Sequence, residues 1–410
     1  MNPVQTPVFD VQSIRDDFPI FKAHPELIYL DSAATAQKPK QVIDRIIQFY
    51  STENANIHRG IYDLSHQATQ AYENARLTVA NFIQAESSNC IAFTKGTTES
   101  VNIVAESWLK KQLDASSNVV ISLMEHHANL IPWQQVCKDT GAELRVIPLT
   151  SEGHLDYEKL PELIDEKTEL VAITHLSNTL GTLTDLDKIN AIIQPLAVPL
   201  LIDAAQSAAL HDLNIDELNC DFLTFSGHKT FGPMGIGILY AKPTRHAEIA
   251  PFQVGGGIVQ EVTIDETSFQ EYPTMLEAGT PNVAGVLGLE AAIHYIESLD
   301  LQGARQHLET LSQKAFALLQ SIEGVTILSP EPITHGILSI NIDEVHPHDV
   351  ASFLNSSHIA VRAGMHCTQP LLEHLEQPAT VRVSLSIYNT EKEIEQLGAS
   401  LKEIVDFWKN

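Results

Sequence analysis

Apolar residues form short runs that alternate with amphipathic stretches through the middle of the chain. Runs typical of β-strands lie at 91–94, 118–123, 143–148, 169–174, 199–202, 222–225 and 236–240. Stretches with helical spacing lie at 129–140, 156–165 and 185–194. Alternation of this kind predicts an α/β fold with a mostly parallel, helix-covered sheet.

The residues before this alternation predict one short strand and two helices. Residues 28–31 form an apolar strand that leads into a turn of small residues, and 39–50 and 66–84 have helical spacing. The segment 54–60 between these helices is polar and turn-rich, and loops of that kind commonly carry ligand contacts. A second turn-rich region, 255–281, begins with Gly255-Gly-Gly257 and runs into Glu277-Ala-Gly-Thr-Pro-Asn282, and both motifs are expected to be loops.

The pattern changes near residue 300 and predicts a separate, smaller α+β domain. Beyond that point, strand-like and helical stretches follow one another at 337–342, 348–356, 358–362 and 380–387, before a final helix. We therefore expect three parts: an N-terminal segment 1–27 that packs on the small domain, a large α/β domain 28–299, and a small C-terminal domain 300–410.

The composition is typical of a soluble globular protein and argues against nucleic-acid or membrane partners. Apolar residues make up 44% of the chain, and 52 acidic against 25 basic residues give a formal charge of −27. Such a surface repels nucleic acids and anionic lipids. No apolar run approaches the roughly 20 residues of a membrane span. The N-terminus has no signal-peptide pattern.

The four cysteines, Cys90, Cys137, Cys220 and Cys367, show neither CxxC nor zinc-ligand spacing. This pattern predicts free thiols in a reducing compartment, the cytoplasm. The first three lie in apolar surroundings and are expected to be inert small hydrophobes. Cys367 lies in a glycine-containing loop with Arg362 and His366 nearby, and positive neighbours make a thiolate available. Cys367 is therefore the candidate nucleophile.

The stretch 222–240 presents one lysine between two strands. A turn, Ser226-Gly-His-Lys229, separates the two apolar runs, and glycines at 232, 235 and 237 allow the backbone to pass close to other groups. A lysine amine in such a turn is the nucleophile that forms a Schiff base with a carbonyl cofactor. Pyridoxal phosphate is the obvious candidate, because Ser226 and His228 can also reach its phosphate. The alternative is a surface hairpin with an incidental lysine.

Polar residues follow several predicted strands at their carboxyl ends, where functional residues of parallel sheets gather. They are Glu125-His-His127, Ser177-Asn178 and Asp203-Ala-Ala-Gln206. Asp203 can hold a proton on a pyridine nitrogen, and its alternative role is a turn or cap residue. His126 can stack on a ring. A metal site at the adjacent histidines is the weakest interpretation, because neighbouring side chains diverge.

Two further motifs have structural alternatives, which their own sequence favours when each is taken alone. Thr97 and Thr98 follow a strand and a glycine turn and begin a helix, which suits an anion, although either could simply be the helix cap. Arg382 lies on the polar side of the alternating strand 381–387. A rigidly mounted arginine there suits a carboxylate, and the alternative is a solvated strand face.

These motifs together resemble the group II (SufS/CsdA-type) cysteine desulfurases of the class V aminotransferase family. The resemblance is carried by Ser226-Gly-His-Lys229 with Gly-Pro-Met-Gly, Asp203-Ala-Ala-Gln206, Glu125-His-His-Ala-Asn129, Gly96-Thr-Thr-Glu99, Glu277-Ala-Gly-Thr-Pro-Asn282 and Arg362-Ala-Gly-x-His-Cys. It implies the fold of PLP-dependent aminotransferases (fold type I), with a mostly parallel seven-stranded sheet.

The resemblance also implies a role for each matched residue. Lys229 is the Schiff-base lysine, Asp203 the pyridinium partner, His126 the stacking residue and Gln206 the partner of the phenolic oxygen. The phosphate group of pyridoxal 5'-phosphate is held by Thr97, Thr98, Ser226, His228 and, from the other subunit, Thr280. Substrate contacts come from Arg382, Asn178, His58 and Arg362, and Cys367 forms the persulfide. No metal is implied.

By the same resemblance, the chain is a homodimeric enzyme that takes sulfur from L-cysteine, releases L-alanine and passes the sulfur to a SufE/CsdE-like acceptor protein. The sulfur then serves iron–sulfur cluster assembly or other sulfur metabolism. Met365 stands where many members have a second histidine, and Thr368 replaces the usual alanine after the cysteine. Alternatives are a selenocysteine lyase, a cysteine sulfinate desulfinase or a non-catalytic partner-binding relative.

Overall fold

The computed structural model of the protein describes residues 9–409. Its strands are β1 Ile28–Tyr29, β2 Ile91–Thr94, β3 Asn118–Ser122, β4 Glu143–Ile147, β5 Thr168–Thr174, β6 Leu200–Asp203, β7 Phe222–Ser226, β8 Gly237–Ala241, β9 Val259–Val262, β10 Thr267–Phe269, β11 Val325–Ile327, β12 Ile337–Ile342, β13 Ile359–Ala360, β14 Arg362–Gly364 and β15 Thr380–Ser384.

The α-helices of the same residues are α1 Val11–Asp16, α2 Pro19–Ala23, α3 Lys40–Gln48, α4 Asp63–Phe82, α5 Thr97–Ile103, α6 Ile131–Thr140, α7 Leu160–Leu163, α8 Leu186–Ile193, α9 Ile215–Leu218, α10 Val283–Ser298, α11 Leu301–Gln320, α12 Pro347–Ser356, α13 Gln369–His374 and α14 Glu391–Lys409. Two π-helical turns, Phe49–Glu53 and Val104–Leu109, extend α3 and α5.

The larger sheet has seven strands in the order β2-β8-β7-β6-β5-β3-β4. Strand β8 is antiparallel to β2 and β7, and the other neighbours are parallel. Every residue of β3, β6 and β7 is buried. The strands of a parallel sheet that is covered by helices on both faces have unbroken apolar sequences, because both faces are buried. These strands could therefore be predicted from the sequence. The predicted α/β fold with a mostly parallel, seven-stranded sheet is confirmed.

The second sheet is antiparallel and has the order β11-β12-β15-β14. Helices α11, α12 and α14 pack with it in a separate apolar core. The short strand β1 pairs in parallel with β13, which attaches the beginning of the described chain to this C-terminal part. No comparison tests the predicted domain boundaries at 27 and 299, and they stay a prediction.

One hairpin was not predicted, and one predicted helix was too long. The region 255–281 contains an antiparallel hairpin, β9 with β10, whose side chains are mostly exposed. Its backbone pairing therefore left no apolar pattern in the sequence. The helix predicted at 156–165 shortens to α7, because the residues before it form turns held by bonds such as Asp156 N–H to Pro148 O at 3.0 Å.

The N-terminal segment 1–27 contacts both parts of the molecule where it is described, and residues 1–8 lie outside the described range. Arg15 pairs with Glu393 of α14 at 2.9 Å. The fully buried ring of Phe18 packs on Tyr388, with 4.9 Å between ring centroids, and on Phe231 of the larger unit at 5.9 Å.

Candidate active site

A cavity of about 260 Å³ lies at the carboxyl edge of the larger sheet, beside the loop that carries Cys367. It brings together all but two of the residues to which the family resemblance assigns a role. The cavity is lined, among others, by Lys229, Asp203, Gln206, His126, Thr97, Thr98, Ser226, His228, Asn178, Arg362, Arg382 and Cys367. The carboxyl ends of neighbouring parallel strands meet at one edge, which explains most of this convergence.

Lys229 ends a 3₁₀ turn, Gly227–Lys229, between β7 and β8. The turn is held by the Gly227 N–H bond to Ile236 O at 2.9 Å and the Gly232 N–H bond to Gly227 O at 2.8 Å. Burial lowers the pKa of Lys229 to about 8, against the opposing effect of Asp203. The amine therefore has a substantial neutral, nucleophilic fraction near neutral pH.

Asp203 is the last residue of β6, and Thr174 of β5 pairs with it in register. Burial raises its pKa, while the Ala205 N–H, 2.9 Å from Oδ1, and the charge of Lys229 oppose this shift. A buried carboxylate needs a cationic or hydrogen-bonding partner. Asp203 is thus suited to hold a protonated ring nitrogen in the cavity.

His126 lines the cavity with an uncharged ring. Its Nδ1 accepts the Ala128 N–H at 3.0 Å, which leaves the proton on Nε2. Burial, and secondarily the charge of Lys229, lower its pKa to about 3. A neutral imidazole fixed by its own backbone suits stacking on a flat, electron-poor ring.

One end of the cavity presents hydroxyl and N–H groups suited to an anion. Ser226 Oγ accepts the Thr97 N–H at 2.9 Å and donates to Thr97 Oγ1 at 3.0 Å. Gly96, in the turn after β2, has a φ of +151°, and a Cβ on Gly237 would lie 2.6 Å from the Gly96 Cα, so this turn passes close to the start of β8 only because residue 237 is a glycine. Thr98 and His228 complete this end.

Two arginines lie on adjacent strands and share one carboxylate. Arg362 of β14 is opposite Arg382 of β15. Asp31 reaches both, with Oδ2 to Arg362 Nη2 at 3.1 Å and Oδ1 to Arg382 Nη2 at 3.1 Å. Arg382 also donates to Asn178 O at 3.0 Å, and its Nε has no partner among the described residues. This unpaired, buried donor suits the carboxylate of a small ligand.

Cys367 is exposed on a loop that neighbouring segments hold from several sides. His127 donates its N–H to Cys367 O at 2.7 Å and accepts the Gln369 N–H on Nε2 at 3.3 Å. The side-chain amide of Asn178 donates to His366 O at 2.8 Å. The consecutive left-handed residues His366 and Cys367, with φ of +50° and +58°, give the loop its sharp turn.

The other three cysteines are buried in apolar clusters, Cys90, Cys137 and Cys220. Burial raises the pKa of Cys90 to about 12 and of Cys137 to about 11, and it also raises that of Cys220. Their thiols are therefore protonated at neutral pH and are poor nucleophiles. Cys367 is the cysteine whose sulfur can meet a ligand in the cavity.

Two predicted residues, Thr280 and His58, do not line the cavity of their own chain. Thr280 is exposed just before α10. His58 follows a buried Ile57 on the loop between α3 and α4, where its Nε2 lies 3.9 Å from Glu73 Oε1. Both side chains are free to meet another molecule.

Asp31 and His127 are site residues that the sequence analysis did not single out for their roles. Asp31 is the last residue of the predicted strand 28–31, so the strand-end rule could have found it. His127 gave no separate signal, because its contacts with Cys367 depend on how a distant loop folds back. Within residues 9–409, no group of three or more metal-ligating side chains is placed to hold a metal ion. No helix in that range is long and apolar enough to cross a bilayer.

Comparisons with known proteins agree over nearly the full chain. The family model described as aminotransferase class-V matches residues 28–397. A cysteine desulfurase of Escherichia coli (strain K12 / DH10B) is 43% identical over 401 residues, which cover 97% of this chain and 98% of the relative. A cysteine desulfurase of Shigella sonnei (strain Ss046) is 44% identical over 400 residues, with the same coverage.

Two solved structures of cysteine desulfurases have the same fold as this chain. The cysteine desulfurase CsdA (S-sulfonic acid) from Escherichia coli superposes with a TM-score of 0.91 at 36% identity, covering 98% of this chain and 99% of that one. The apo structure of a cysteine desulfurase from Thermococcus onnurineus NA1 superposes with a TM-score of 0.92 at 36% identity, covering 97% and 98%.

Proposed function

This chain belongs to the class-V aminotransferase family and, within it, to the cysteine desulfurases, and we propose that it removes sulfur from L-cysteine with pyridoxal 5'-phosphate and releases L-alanine. One observation carries the proposal above the others. A single cavity joins a lysine beside a buried carboxylate to an exposed cysteine on a loop. Lys229 and Asp203 are the two groups that a pyridine aldehyde cofactor requires. The thiol of Cys367 is required only if the reaction transfers a sulfur atom to the enzyme.

The residues of the cavity fit this cofactor. Asp203 is buried and lacks a full counter-charge, which a protonated pyridine nitrogen would supply. Thr97, Thr98, Ser226 and His228 offer hydroxyl and N–H groups for the phosphate, and Lys229 offers the amine. Gln206 donates to Ala33 O at 2.8 Å and keeps one amide hydrogen for the ring oxygen. When bound, the cofactor supplies an electron sink for charge that develops on the substrate.

Lys229 is the general base and acid at the substrate Cα. Its burial-lowered pKa of about 8 lets Nζ take a proton and give it back near neutral pH. His126 stays uncharged, because burial and Lys229 hold its pKa near 3, and it would offer the cofactor a neutral imidazole on which to stack. A neutral ring there does not repel the positive charge of the cofactor nitrogen.

Arg382 binds the substrate carboxylate. The residue is 2% exposed, its guanidinium is fixed by Asn178 O and Asp31, and its Nε has no partner among the described residues. An arginine held this rigidly recognises a carboxylate with little further loss of conformational freedom. Arg362 lines the approach to the site.

Cys367 collects the sulfur. Its thiolate forms an S–S bond with the substrate sulfur while the Cβ–S bond of L-cysteine breaks. The electron pair of that bond goes to Cβ, which takes up one proton to complete the methyl group of L-alanine. The products are L-alanine and a persulfide on Cys367, so atoms and electrons balance without another oxidant or reductant.

A SufE/CsdE-like protein accepts the sulfur from Cys367. The exposure of this thiol at the rim of the cavity supports that transfer, because a persulfide must be reachable from outside. Four free cysteines support a reducing compartment, the cytoplasm, as the location.

The active form is a homodimer in which Thr280 and His58 complete the site of the partner subunit. Their exposure outside the cavity of their own chain supports this role. Ile61 and Tyr62, next to the His58 loop, are 95% and 53% exposed, and a subunit interface at this loop would cover them.

The function is tested by incubating the purified, cofactor-loaded protein with L-cysteine and measuring alanine and sulfane sulfur. We expect alanine in excess over enzyme when a reductant is present, and one bound sulfane sulfur per Cys367 when it is absent. Formation of pyruvate and ammonia without a Cys367 persulfide would identify a lyase and contradict the proposal.

A further inference from the structure

The carbonyl oxygen of His228 accepts three hydrogen bonds from one short segment, residues 35–38. The donors are the Ala36 N–H at 3.0 Å, the Thr35 hydroxyl at 3.1 Å and the Lys38 ammonium at 2.8 Å. A carbonyl oxygen has two lone pairs, and a charged donor binds it about twice as strongly as a neutral one. This peptide oxygen is therefore held unusually firmly.

Lys38 is directed at backbone atoms and not at an acid. Its Nζ also contacts Ala36 O and lies 3.4 Å from Thr35 Oγ1. No carboxylate in residues 9–409 lies within ion-pair distance of it. Burial lowers the pKa of Lys38 to about 8. A buried ammonium without an acidic partner depends on the hydrogen-bond acceptors around it for its stabilisation.

The bond that Lys38 makes acts on the peptide between His228 and Lys229. This peptide plane sets the direction in which the Lys229 side chain leaves the backbone. On its other side the turn is held by Gly227, through Ile236 O and Gly232 N–H. The segment 35–38 holds the opposite side of the turn through its hydrogen bonds to His228 O, although it is about 190 residues away in the chain.

We propose that Lys38 is a positioning residue, whose ammonium holds the His228–Lys229 peptide so that the Lys229 amine meets the aldehyde of the cofactor. The proposal rests on the role of Lys229 in the proposed function. Lys38 touches neither substrate nor cofactor in it. Loss of the ammonium lets the turn rotate, and the amine then spends less time where it can react.

The test compares apo-protein binding of two aldehydes, pyridoxal phosphate and pyridoxal, which lacks the phosphate. Each is bound at increasing concentration and trapped with borohydride, and the labelled Lys229 peptide is quantified by mass spectrometry. Lys38→Met should weaken attachment of both aldehydes by roughly tenfold, the value of one charge-assisted hydrogen bond. Lys38→Arg, which keeps a charged donor, should recover most of it. Lys40→Met is the matched control, because Lys40 is exposed and pairs with Asp44.

Each outcome decides the matter. Unchanged attachment in Lys38→Met overturns the proposal, and so does a loss confined to pyridoxal phosphate, which would make Lys38 a charge acting on the phosphate. If Lys38→Met does not fold, Lys38→Gln, which keeps an N–H donor, should fold and show an intermediate loss of both aldehydes. Absence of label on Lys229 in the unaltered protein would instead refute the assignment of the cofactor lysine.

Discussion

The carboxylate of Asp31 joins Arg382, with Oδ1 3.1 Å from Nη2, although 351 residues separate them in the chain. The same carboxylate reaches Arg362, which is paired opposite Arg382 in the antiparallel sheet. Like charges directly opposite one another destabilise a sheet. Asp31 compensates for one of the two positive charges, so the site presents one net positive charge to a monocarboxylate.

Removal of the Asp31 charge should therefore be costly until a ligand replaces it. Asp31→Asn leaves a buried arginine undercompensated, and we expect a loss of about 3 kcal/mol in the free energy of unfolding. L-alanine should stabilise this variant more than the unaltered protein, because the carboxylate of L-alanine can replace that of Asp31 beside the two arginines. Urea unfolding with and without L-alanine measures both effects.

A matched control for this prediction is Asp212→Asn. Asp212 pairs with Arg305 at 2.7 Å on the surface, with 71% and 39% of the two side chains exposed. Its loss should change stability by less than about 1 kcal/mol. If L-alanine stabilises Asp31→Asn no more than it stabilises the unaltered protein, Asp31 does not share a subsite with the substrate carboxylate.

The reactivity of Lys229 should follow its shifted pKa. Only the neutral amine attacks an aldehyde, so the rate of borohydride-trapped attachment to the apo-protein should rise through pH 8 and level off above it. The negative charge of Asp203 raises this pKa, and Asp203→Asn should therefore move the midpoint to lower pH. A midpoint above pH 10 for Lys229 would show that the amine is not desolvated.

Loss of the Cys367 thiol should separate binding from sulfur transfer. Cys367→Ser should bind the cofactor with an unchanged visible spectrum but form no persulfide from L-cysteine, as measured by persulfide-specific labelling. Selenocysteine and cysteine sulfinate have better leaving groups and should lose less activity in this variant. Full activity with L-cysteine would place the nucleophile elsewhere. Cys137→Ser is a suitable control, because Cys137 is buried.

The hydroxyl of Thr368 should restrict the loop that carries Cys367. Thr368 is fully buried, and its Oγ1 lies 2.8 Å from Thr179 Oγ1. One such bond contributes about 1 kcal/mol, so Thr368→Ala should raise the rate of Cys367 alkylation by iodoacetamide roughly fivefold. Thr310→Ala, on an exposed helix face, should leave the rate unchanged. Equal rates in both variants would mean that the bond does not limit the loop.

Subunit mixing should reveal whether Thr280 acts across a dimer. Lys229→Ala and Thr280→Asp are each expected to be inactive, the second because a carboxylate repels the phosphate. In a hybrid dimer, one site would then carry both changes and the other neither, so about half of the hybrid sites should recover activity. If mixed and refolded subunits stay inactive, Thr280 serves its own chain or the protein is monomeric.

Much of the site followed from two local rules. Buried apolar runs marked the strands, and the polar residues after them, including Asp203 and Asn178, lie in one cavity as the strand-end rule predicts. The hairpin β9–β10 was not predicted, because its side chains are mostly exposed and its sequence shows no alternation of apolar and polar residues. Asn178 lines the cavity with its amide hydrogens bonded to His366 O and Thr179 Oγ1, and its contact with substrate stays a prediction.

Residue order alone established which chemical groups are available: a lysine in a glycine-bounded turn, a carboxylate at the end of an apolar strand and a cysteine in a turn-forming loop. These features depend on periodicity and backbone preferences within a few residues. Which of them meet depends on packing between segments that are hundreds of residues apart, because no local pattern encodes such a contact. Folding alone brought Asp31 between two arginines, His127 under the Cys367 loop and Lys38 against the turn of Lys229.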